Sequence, residues 1–179
     1  MVALEQVPIC FGGAARHNVM NALGVTALAR ALGISLADIR NGLKTMQTLD
    51  NPGRANLYQF DGITVLLDFA HNPAGVEAVI ELAGALPAKR RLLVIGQAGD
   101  RTDEDIRDLA RASLGCRFER VLVKRLDSYG RGRPPGEVAD MLQTAHARYR
   151  GLQRQPDRPL SLDAGGLTAL LAADTTLGD

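Results

Sequence analysis

The chain has 179 residues, a net charge of +1, 46% hydrophobic residues and 23% charged residues. This length suits one domain, or one domain joined to part of another. The balanced charge and the absence of Trp exclude a broad basic or aromatic surface for nucleic acid, and no apolar run approaches the roughly 18 residues of a membrane span. The two cysteines, Cys10 and Cys116, lack metal-ligand spacing, so we expect a protein of the reducing cytoplasm.

The first fifty residues are predicted to be mostly helical. The short apolar segment Val7–Phe11 is typical of an edge strand, and helical periodicity then predicts helices over Ala14–Leu32 and Leu36–Met46. Gly33 suits the position after the first helix, and Ser35 suits the N-cap of the second. Both helices carry apolar stripes that need a partner.

Two asparagines three residues apart, Asn18 and Asn21, project from the same face of the first helix. Side-chain amides offer a donor and an acceptor each, so this pair is suited to the edge of a purine. The alternative is that both residues cap the start of the helix. The spacing alone leaves both interpretations open.

The segment Asp50–Arg54 is a turn and the predicted domain boundary, because helical periodicity stops there and strand periodicity begins. Asn56–Phe60 alternates, Asp61-Gly62 predicts a type I′ hairpin turn, and Ile63–Leu67 follows as a buried strand. On sequence grounds alone, Arg54 is equally well explained as a solvated charge of the turn.

From Ile63 onward, strands and helices alternate, which predicts a parallel sheet. The strands predicted after the hairpin are Arg91–Ile95, Val121–Val123 and Pro159–Leu162, and the helices begin near Pro73, Thr102, Gly136 and Asp163. The predicted fold class is therefore α/β: a Rossmann-like, mostly parallel sheet with flanking helices and an N-terminal β-hairpin, preceded by a short helical segment.

Polar residues cluster where these strands end. Asp68 and His71 follow one strand, Asp100 and Arg101 follow the next, and four cations follow the third: Lys124, Arg125, Arg131 and Arg133. Ligands of open α/β sheets bind at the carboxyl edge, and a helix that opens at Asn72-Pro73 presents N–H groups suited to phosphate. The alternative is that Asp68 only caps a turn, His71 is a surface imidazole and the cations are a solvated face.

The segment Asp68–Pro73, which reads D-F-A-H-N-P, resembles the D-Y-A-H-N-P motif of the Mur ligase family. That family includes the peptidoglycan amino-acid ligases, folylpolyglutamate synthase and cyanophycin synthetase. Three further segments resemble its H-N-x-x-N, P-G-R and G-D-R motifs: His17–Asn21, Pro52–Arg54 and Gly99–Arg101. Asp100–Arg107 and Gly130–Glu137 are most similar to the cyanophycin synthetase branch.

The resemblance implies an ATP- and Mg²⁺-dependent amide ligase that forms an acyl phosphate, which an amine then attacks. It implies nucleotide contacts from four residues: Asn18 and Asn21 at the adenine, Arg54 at the phosphates and Asp68 at the ribose. It places three residues on the catalytic side: His71 near the nucleotide, and Asp100 and Arg101 toward the acceptor. In the cyanophycin synthetase branch the added amino acid is arginine or a similar base, for which Asp100, Asp103 and Asp127 are candidate partners.

The sequence departs from the family at Phe69, which replaces Tyr, and it contains no G-x-x-x-x-G-K-[ST] phosphate loop. The resemblance implies that this loop and the magnesium ligands belong to a central domain. We therefore expect residues 1–51 to be the helical tail of that domain, and residues 52–179 to be the C-terminal domain without its last strand. The 179-residue chain alone should then not turn over ATP.

The expected partners are amino-acid and peptide carboxylate substrates and the rest of a parent ligase, without nucleic acid or membrane. The apolar stripe of the first helices also favours self-association. Three alternatives remain: a peptidoglycan or folylpolyglutamate type of Mur ligase, a non-catalytic nucleotide-binding module, and an NAD-binding domain. The last is disfavoured because no G-x-G-x-x-G follows a predicted strand.

Overall fold

The computed structural model of the chain describes residues 2–152 and 160–162. Two compact units divide the chain: unit 1 is Met1–Ala70 with Ala74–Pro87, and unit 2 is His71–Pro73 with Ala88–Asp179. The helix predicted to begin at Asp163 lies outside the described residues. No helix in the described ranges is both long and apolar enough to cross a membrane.

Unit 1 begins with two 3₁₀ segments, Leu4–Gln6 and Pro8–Gly13. The prediction of an edge strand over Val7–Phe11 is therefore wrong. The reason lies in the backbone: Phe11 and Gly12 take φ angles of +50° and +64°, which end any extended run. A short apolar segment carries no periodicity long enough to reveal this.

The two predicted helices are present as α1, Arg16–Ala31, and α2, Leu36–Thr45. Gly33 takes a φ of +80° after α1, as a helix-ending glycine should. The Ser35 hydroxyl accepts a hydrogen bond from the Asp38 N–H at 3.1 Å, which caps α2. Local sequence signals therefore fixed both helix boundaries to within two residues.

The apolar stripe of α1 is uncovered in the structure. No residue of α1 is buried among the described residues, and Met20 and Leu28 are 68% and 63% exposed. In α2, Ile39 is buried as predicted, whereas Leu36 is exposed. The predicted amphipathic pattern is thus real, but most of its apolar face has no partner within unit 1.

Strands β1, Asn56–Phe60, and β2, Ile63–Leu67, form the predicted antiparallel hairpin. Asp61 and Gly62 both have positive φ, as a type I′ turn requires. Two details differ from expectation: among the described strands β2 pairs only with β1, in a two-stranded sheet, and four of its five residues are exposed. The prediction that Ile63–Leu67 is buried and opens the parallel series is therefore wrong, because a hydrophobic run does not reveal how many neighbours its strand has.

Helix α3, Pro73–Ala85, begins at the predicted proline. Its residue Leu82 is fully buried in unit 1 with Ala15 and Ala55. A proline at the first helical position loses no intrahelical hydrogen bond, which is why this start was readable from sequence.

Unit 2 contains the predicted parallel sheet, with strands β3, Leu92–Ile95, β4, Arg120–Lys124, and β5, Leu160–Leu162, in the order β3-β4-β5. Helices α4, Asp103–Ala112, and α5, Glu137–Leu152, alternate with these strands. The structure therefore confirms the predicted α/β class.

The core of unit 2 is built from the central strand and the two helices. The fully buried side chains include Val121, Leu122 and Val123 of β4, Ile106 and Leu109 of α4, and Leu142 of α5. Each large side chain buried in this way contributes about 1.5–3 kcal/mol. This packing supports the loops that leave the carboxyl ends of β3 and β4.

Candidate functional site

The seven predicted site residues divide between the two units. Unit 1 contains Asn18, Asn21, Arg54 and Asp68, and unit 2 contains His71, Asp100 and Arg101.

Asn18 and Asn21 share one face of α1, as their spacing predicts. The Asn21 side-chain N–H contacts the Asn18 carbonyl oxygen at 3.5 Å, and the Asn18 amide donates to the Ile9 carbonyl at 2.8 Å. The N-cap of α1 is Ala15, with no side-chain capping bond. The capping interpretation is therefore wrong, and Asn21 remains exposed on the helix surface.

The turn that carries Arg54 is organised by a buried asparagine. Asn56 is 0% exposed, its carbonyl oxygen accepts from the Gly53 N–H at 2.5 Å, and its amide donates to the carbonyls of Thr48 and Asn51 at 2.5 and 3.2 Å. Arg54 itself is exposed, and its guanidinium makes no ion pair with a described residue. Asn56 thus fixes the backbone around Arg54 and leaves the guanidinium accessible.

The sequence did not predict this role, and Asn56 was identified there only as the first residue of the strand Asn56–Phe60. The available signal was a polar residue at the inward start of a strand directly after a glycine turn. Such a position calls for a side chain that satisfies turn backbone groups.

Asp68 follows β2 and one of its oxygens is already engaged. Its Oδ2 accepts from the Ala55 N–H at 2.8 Å, and Ala55 is a buried residue with a φ of +49°. The adjoining Phe69 N–H donates to the Gly53 carbonyl at 2.8 Å. Asp68 therefore does stabilise a turn, while no described residue donates to its Oδ1.

His71 lies in the turn between β2 and α3 and is partly buried. The helix begins two residues later at Pro73. In the sequence, His71 therefore comes directly before a helix N-terminus, the end of a helix at which backbone N–H groups and the helix dipole favour anions.

The loop after β3 contains Gly99, Asp100 and Arg101. A Cβ at Gly99 would collide with the Gly130 carbonyl oxygen and lie 2.7 Å from its carbon. The Gly99 N–H also donates to the Tyr129 carbonyl at 2.9 Å. Only glycine permits this close approach of two backbones, which is the physical reason for glycine at this position.

A single guanidinium joins this loop to the loop after β4. Arg133 Nε donates to the Gly99 carbonyl at 3.0 Å, and Nη2 donates to the Arg101 carbonyl at 2.8 Å. Nη2 and Nη1 also contact carboxylates of Asp103 and Glu137 at 2.9 and 2.6 Å. Hydrogen bonds to Glu137 and then to Asp103 raise the pKa of Arg133 above its ordinary value.

The side chains of the 97–101 segment retain unused polar atoms. Asp100 is exposed and makes no ion pair or side-chain hydrogen bond with a described residue. Gln97 is 6% exposed and its Oε1 has no partner in the described structure, and the same holds for the buried Nε of Arg101. Buried polar atoms are normally paired, so unpaired ones beside an exposed acid mark a candidate binding loop.

The other two candidate acids are already paired with arginines of the chain. Asp103 contacts Arg107 as well as Arg133. Asp127 contacts Arg125 at 2.9 Å and accepts from the Gly136 N–H at 2.8 Å. Among the three candidates for a substrate guanidinium, Asp100 is the one that keeps its carboxylate free of an ion pair within the described residues.

Three of the four cations after β4 contact groups of the chain itself. Arg133 is committed to loop carbonyls and carboxylates, and Arg125 pairs with Asp127. Arg131 lies over the Tyr129 ring at 6.0 Å. This part of the sequence pattern therefore serves mainly to shape the loop. In the described part of the chain, no group of three His, Cys, Asp or Glu side chains is arranged to hold a metal.

A parallel sheet with alternating helices and with glycine and charged loops at the carboxyl ends of its strands defines a Rossmann-like α/β domain. Residues 53–161 match the glutamate ligase domain of Mur ligases. The chain belongs to the Mur ligase family.

Curated relatives include cyanophycin synthetases. That of Crocosphaera subtropica is 41% identical over 138 residues, which are 76% of this chain and 16% of that protein. That of a Nostoc species is 36% identical over 77% of this chain and 15% of that protein. The UDP-N-acetylmuramate–L-alanine ligase of Halorhodospira halophila is 31% identical over 91% of this chain and 38% of its own length. The chain therefore spans well under half of the relatives it matches.

Solved structures share the fold. The folylpolyglutamate synthase of Thermotoga maritima is 26% identical with a TM-score of 0.52, covering 82% of this chain and 35% of that chain. The folylpolyglutamate synthase of Mycobacterium tuberculosis, solved with ADP, has a TM-score of 0.60 at 21% identity, covering 84% of this chain and 31% of that chain.

Proposed function

We propose that this chain works as the C-terminal domain of an ATP-dependent amide ligase of the cyanophycin synthetase type. One observation carries the proposal. The segment that matches the family, residues 53–161, includes both the Asp68–Pro73 turn and the Gly99–Arg101 loop, whose backbone is hydrogen-bonded to Arg133. The 41% identity to a cyanophycin synthetase favours that branch. In such a reaction a carboxylate oxygen attacks the γ-phosphorus of ATP and ADP leaves, after which an amine displaces phosphate from the acyl phosphate.

The proposed nucleotide contacts lie in unit 1. Asn18 and Asn21 would contact the adenine, Arg54 the phosphates and Asp68 the ribose. Three observations support this assignment: Asn21 is exposed, the guanidinium of Arg54 is accessible, and Asp68 keeps Oδ1 for a hydroxyl donor. The folylpolyglutamate synthase solved with ADP, which shares the fold, supports a nucleotide as the ligand.

The proposed catalytic residues lie in unit 2. His71 would act near the nucleotide, and Asp100 and Arg101 would shape the side where the incoming amino acid binds. Asp100 suits a basic amino acid, because its carboxylate is exposed and unpaired within the described residues. An exposed acid beside a fixed loop can pair with a substrate guanidinium in the bidentate manner typical of arginine.

By the family resemblance, magnesium ligation and the phosphate loop are assigned to a central domain, and residues 1–179 contain no G-x-x-x-x-G-K-[ST] segment. It follows that residues 1–179 alone should not hydrolyse ATP. We also propose a cytoplasmic location, because a chain with only two cysteines, far apart in sequence, is typical of a reducing compartment.

The test is a screen of amino acids and acceptors with the full-length polypeptide that contains this chain, measuring ADP release. We expect release that depends on arginine and an aspartate-containing peptide. Dependence on L-alanine and UDP-N-acetylmuramate would instead support a peptidoglycan ligase, the second candidate, which the 31% identity over 91% of the chain favours. Nucleotide binding without amino-acid-dependent release would support a non-catalytic module and contradict the proposal.

A pair of matched variants tests the nucleotide assignment. Asp68→Asn removes the charge proposed to bind the ribose and should weaken ATP binding by about tenfold, the scale of a charge-assisted hydrogen bond. Asp61→Asn makes the same change at the exposed hairpin turn, where Asn is equally suited to positive φ. Equal ATP affinity in the two variants would contradict the role of Asp68.

A further inference from the structure

The guanidinium of Arg133 is the main link between the loop after β3 and the loop after β4. Its side chain is 20% exposed, and it contacts two backbone carbonyls and two carboxylates at 2.6–3.0 Å. The two carbonyls, of Gly99 and Arg101, lie 34 and 32 residues away along the chain. Such a residue is suited to fixing the geometry of one loop against another.

Arg133 contacts the backbone on both sides of Asp100, one of the two proposed catalytic residues of this loop. One carbonyl precedes Asp100 and the other follows at Arg101, while the Gly99 N–H is held by the Tyr129 carbonyl. Three backbone groups of this short loop are therefore held by the segment 129–133. The bond to Asp103 extends the same restraint to the start of α4.

In the loop after β3, backbone groups of Gly99 and Arg101 are hydrogen-bonded, whereas several side-chain polar atoms have no partner among the described residues. Asp100 is exposed, and the Gln97 Oε1 and Arg101 Nε atoms are buried without partners among the described residues. A structural loop would be expected to pair its buried polar atoms internally. A fixed backbone that presents unpaired side-chain atoms is instead the arrangement of a preorganised binding loop.

We propose that Arg133 is a positioning residue that holds Asp100 and Arg101 in the geometry needed to bind the incoming amino acid. This inference rests on the proposed ligase function. It requires arginine specifically, because the planar fork of the guanidinium reaches two carbonyls and two carboxylates at once. A lysine ammonium keeps the charge but lacks that fixed fork.

The test compares Arg133→Gln and Arg133→Lys with Arg107→Gln in the full-length polypeptide. Arg107 is a matched control, because it also contacts Asp103, at 3.5 Å, but is exposed and bonds to neither loop carbonyl. For both Arg133 variants we expect the KM for the amino acid to rise about tenfold or more, with the KM for ATP within about twofold of the parent. Arg107→Gln should leave both KM values within about twofold.

Hydrogen exchange gives a readout that does not depend on turnover. Amides of residues 97–102 should exchange faster in Arg133→Lys than in Arg107→Gln, and this comparison also serves if Arg133→Gln does not fold. An active enzyme in which the Arg133 variants match the control in the KM values and in exchange would overturn the inference and leave the proposed function intact. Equal rises in KM for ATP and the amino acid would also overturn it. A parent that shows no amino-acid-dependent ADP release defeats the proposed function and the inference together.

Discussion

We expect His146 to make unit 2 sensitive to mild acid. The imidazole lies on α5, is 2% exposed, and neither ring nitrogen has a hydrogen-bond partner in the described part of the chain. Burial, and then the nearby charge of Arg150, lower the pKa of His146 from 6.5 to about 4. A buried imidazole of this kind is neutral in the folded protein at pH 7.

The sign of the pH effect follows from this lowered pKa. Above pH 6.5 the histidine is neutral in both states and has no effect on the pH dependence of unfolding. Between pH 6.5 and 4 the unfolded chain binds a proton that the folded chain does not, so stability falls as the pH falls. With about 1.4 kcal/mol for each pKa unit, the loss is about 2 kcal/mol at pH 5 and approaches about 3 kcal/mol below pH 4.

Urea unfolding of the 179-residue chain at pH 7.5 and pH 5.0 measures this effect. The His146→Leu variant is the comparison, since it removes the titrating group and fills a similar volume. We expect the parent to lose about 2 kcal/mol more than the variant between the two pH values. The same pH dependence in both proteins, or an imidazole that titrates above pH 6 by NMR, would refute the reasoning.

Two other substitutions have expected effects on stability, each measured by urea unfolding against a matched control. Gly99→Ala forces a Cβ into the Gly130 backbone and should lower the free energy of unfolding by about 2–4 kcal/mol. The control Gly42→Ala, in an open helix position, should raise it by about 0.5–1 kcal/mol. Equal effects of the two substitutions would contradict the close approach of Gly99 to Gly130. Asn56→Ala leaves several turn groups unpaired and should cost about 2–3 kcal/mol, whereas Gln59→Ala, on the exposed part of the same strand, should change stability by less than about 0.5 kcal/mol. A cost below about 1 kcal/mol for Asn56→Ala would contradict its role in the turn.

Short-range signals accounted for most of the helix and strand boundaries. The Asp61-Gly62 turn, the cap at Ser35, and the starts of α3 at Pro73 and of α4 after Thr102 all appear where the sequence predicted them. Each of these features depends on contacts within about four residues, so the local sequence is enough to predict it. In the first turn of α4, hydrogen bonds from the Thr102 hydroxyl and backbone N–H to the Asp105 carboxylate lower the pKa of Asp105.

The errors have a different origin. Phe11 adopts a left-handed backbone conformation, which cannot be predicted from the residue type. The burial of β2 depends on how many elements pack against it, and the periodicity of its sequence does not contain that information. In the candidate site, Arg133 was taken as one of four similar cations, because its two carbonyl partners are more than thirty residues away. Asn56 was missed for a related reason: its role is to satisfy backbone groups of a turn, which becomes visible only in three dimensions.

The most direct test of the proposed chemistry measures whether an oxygen atom of the substrate carboxylate is transferred to the phosphate that is released. If the full-length polypeptide forms an acyl phosphate, a carboxylate labelled with ¹⁸O should transfer one labelled oxygen to the phosphate released with each amide bond. Mass spectrometry of the phosphate should therefore show one ¹⁸O per product, together with one ADP. Unlabelled phosphate, or AMP and pyrophosphate in place of ADP, would contradict the proposed ligase chemistry.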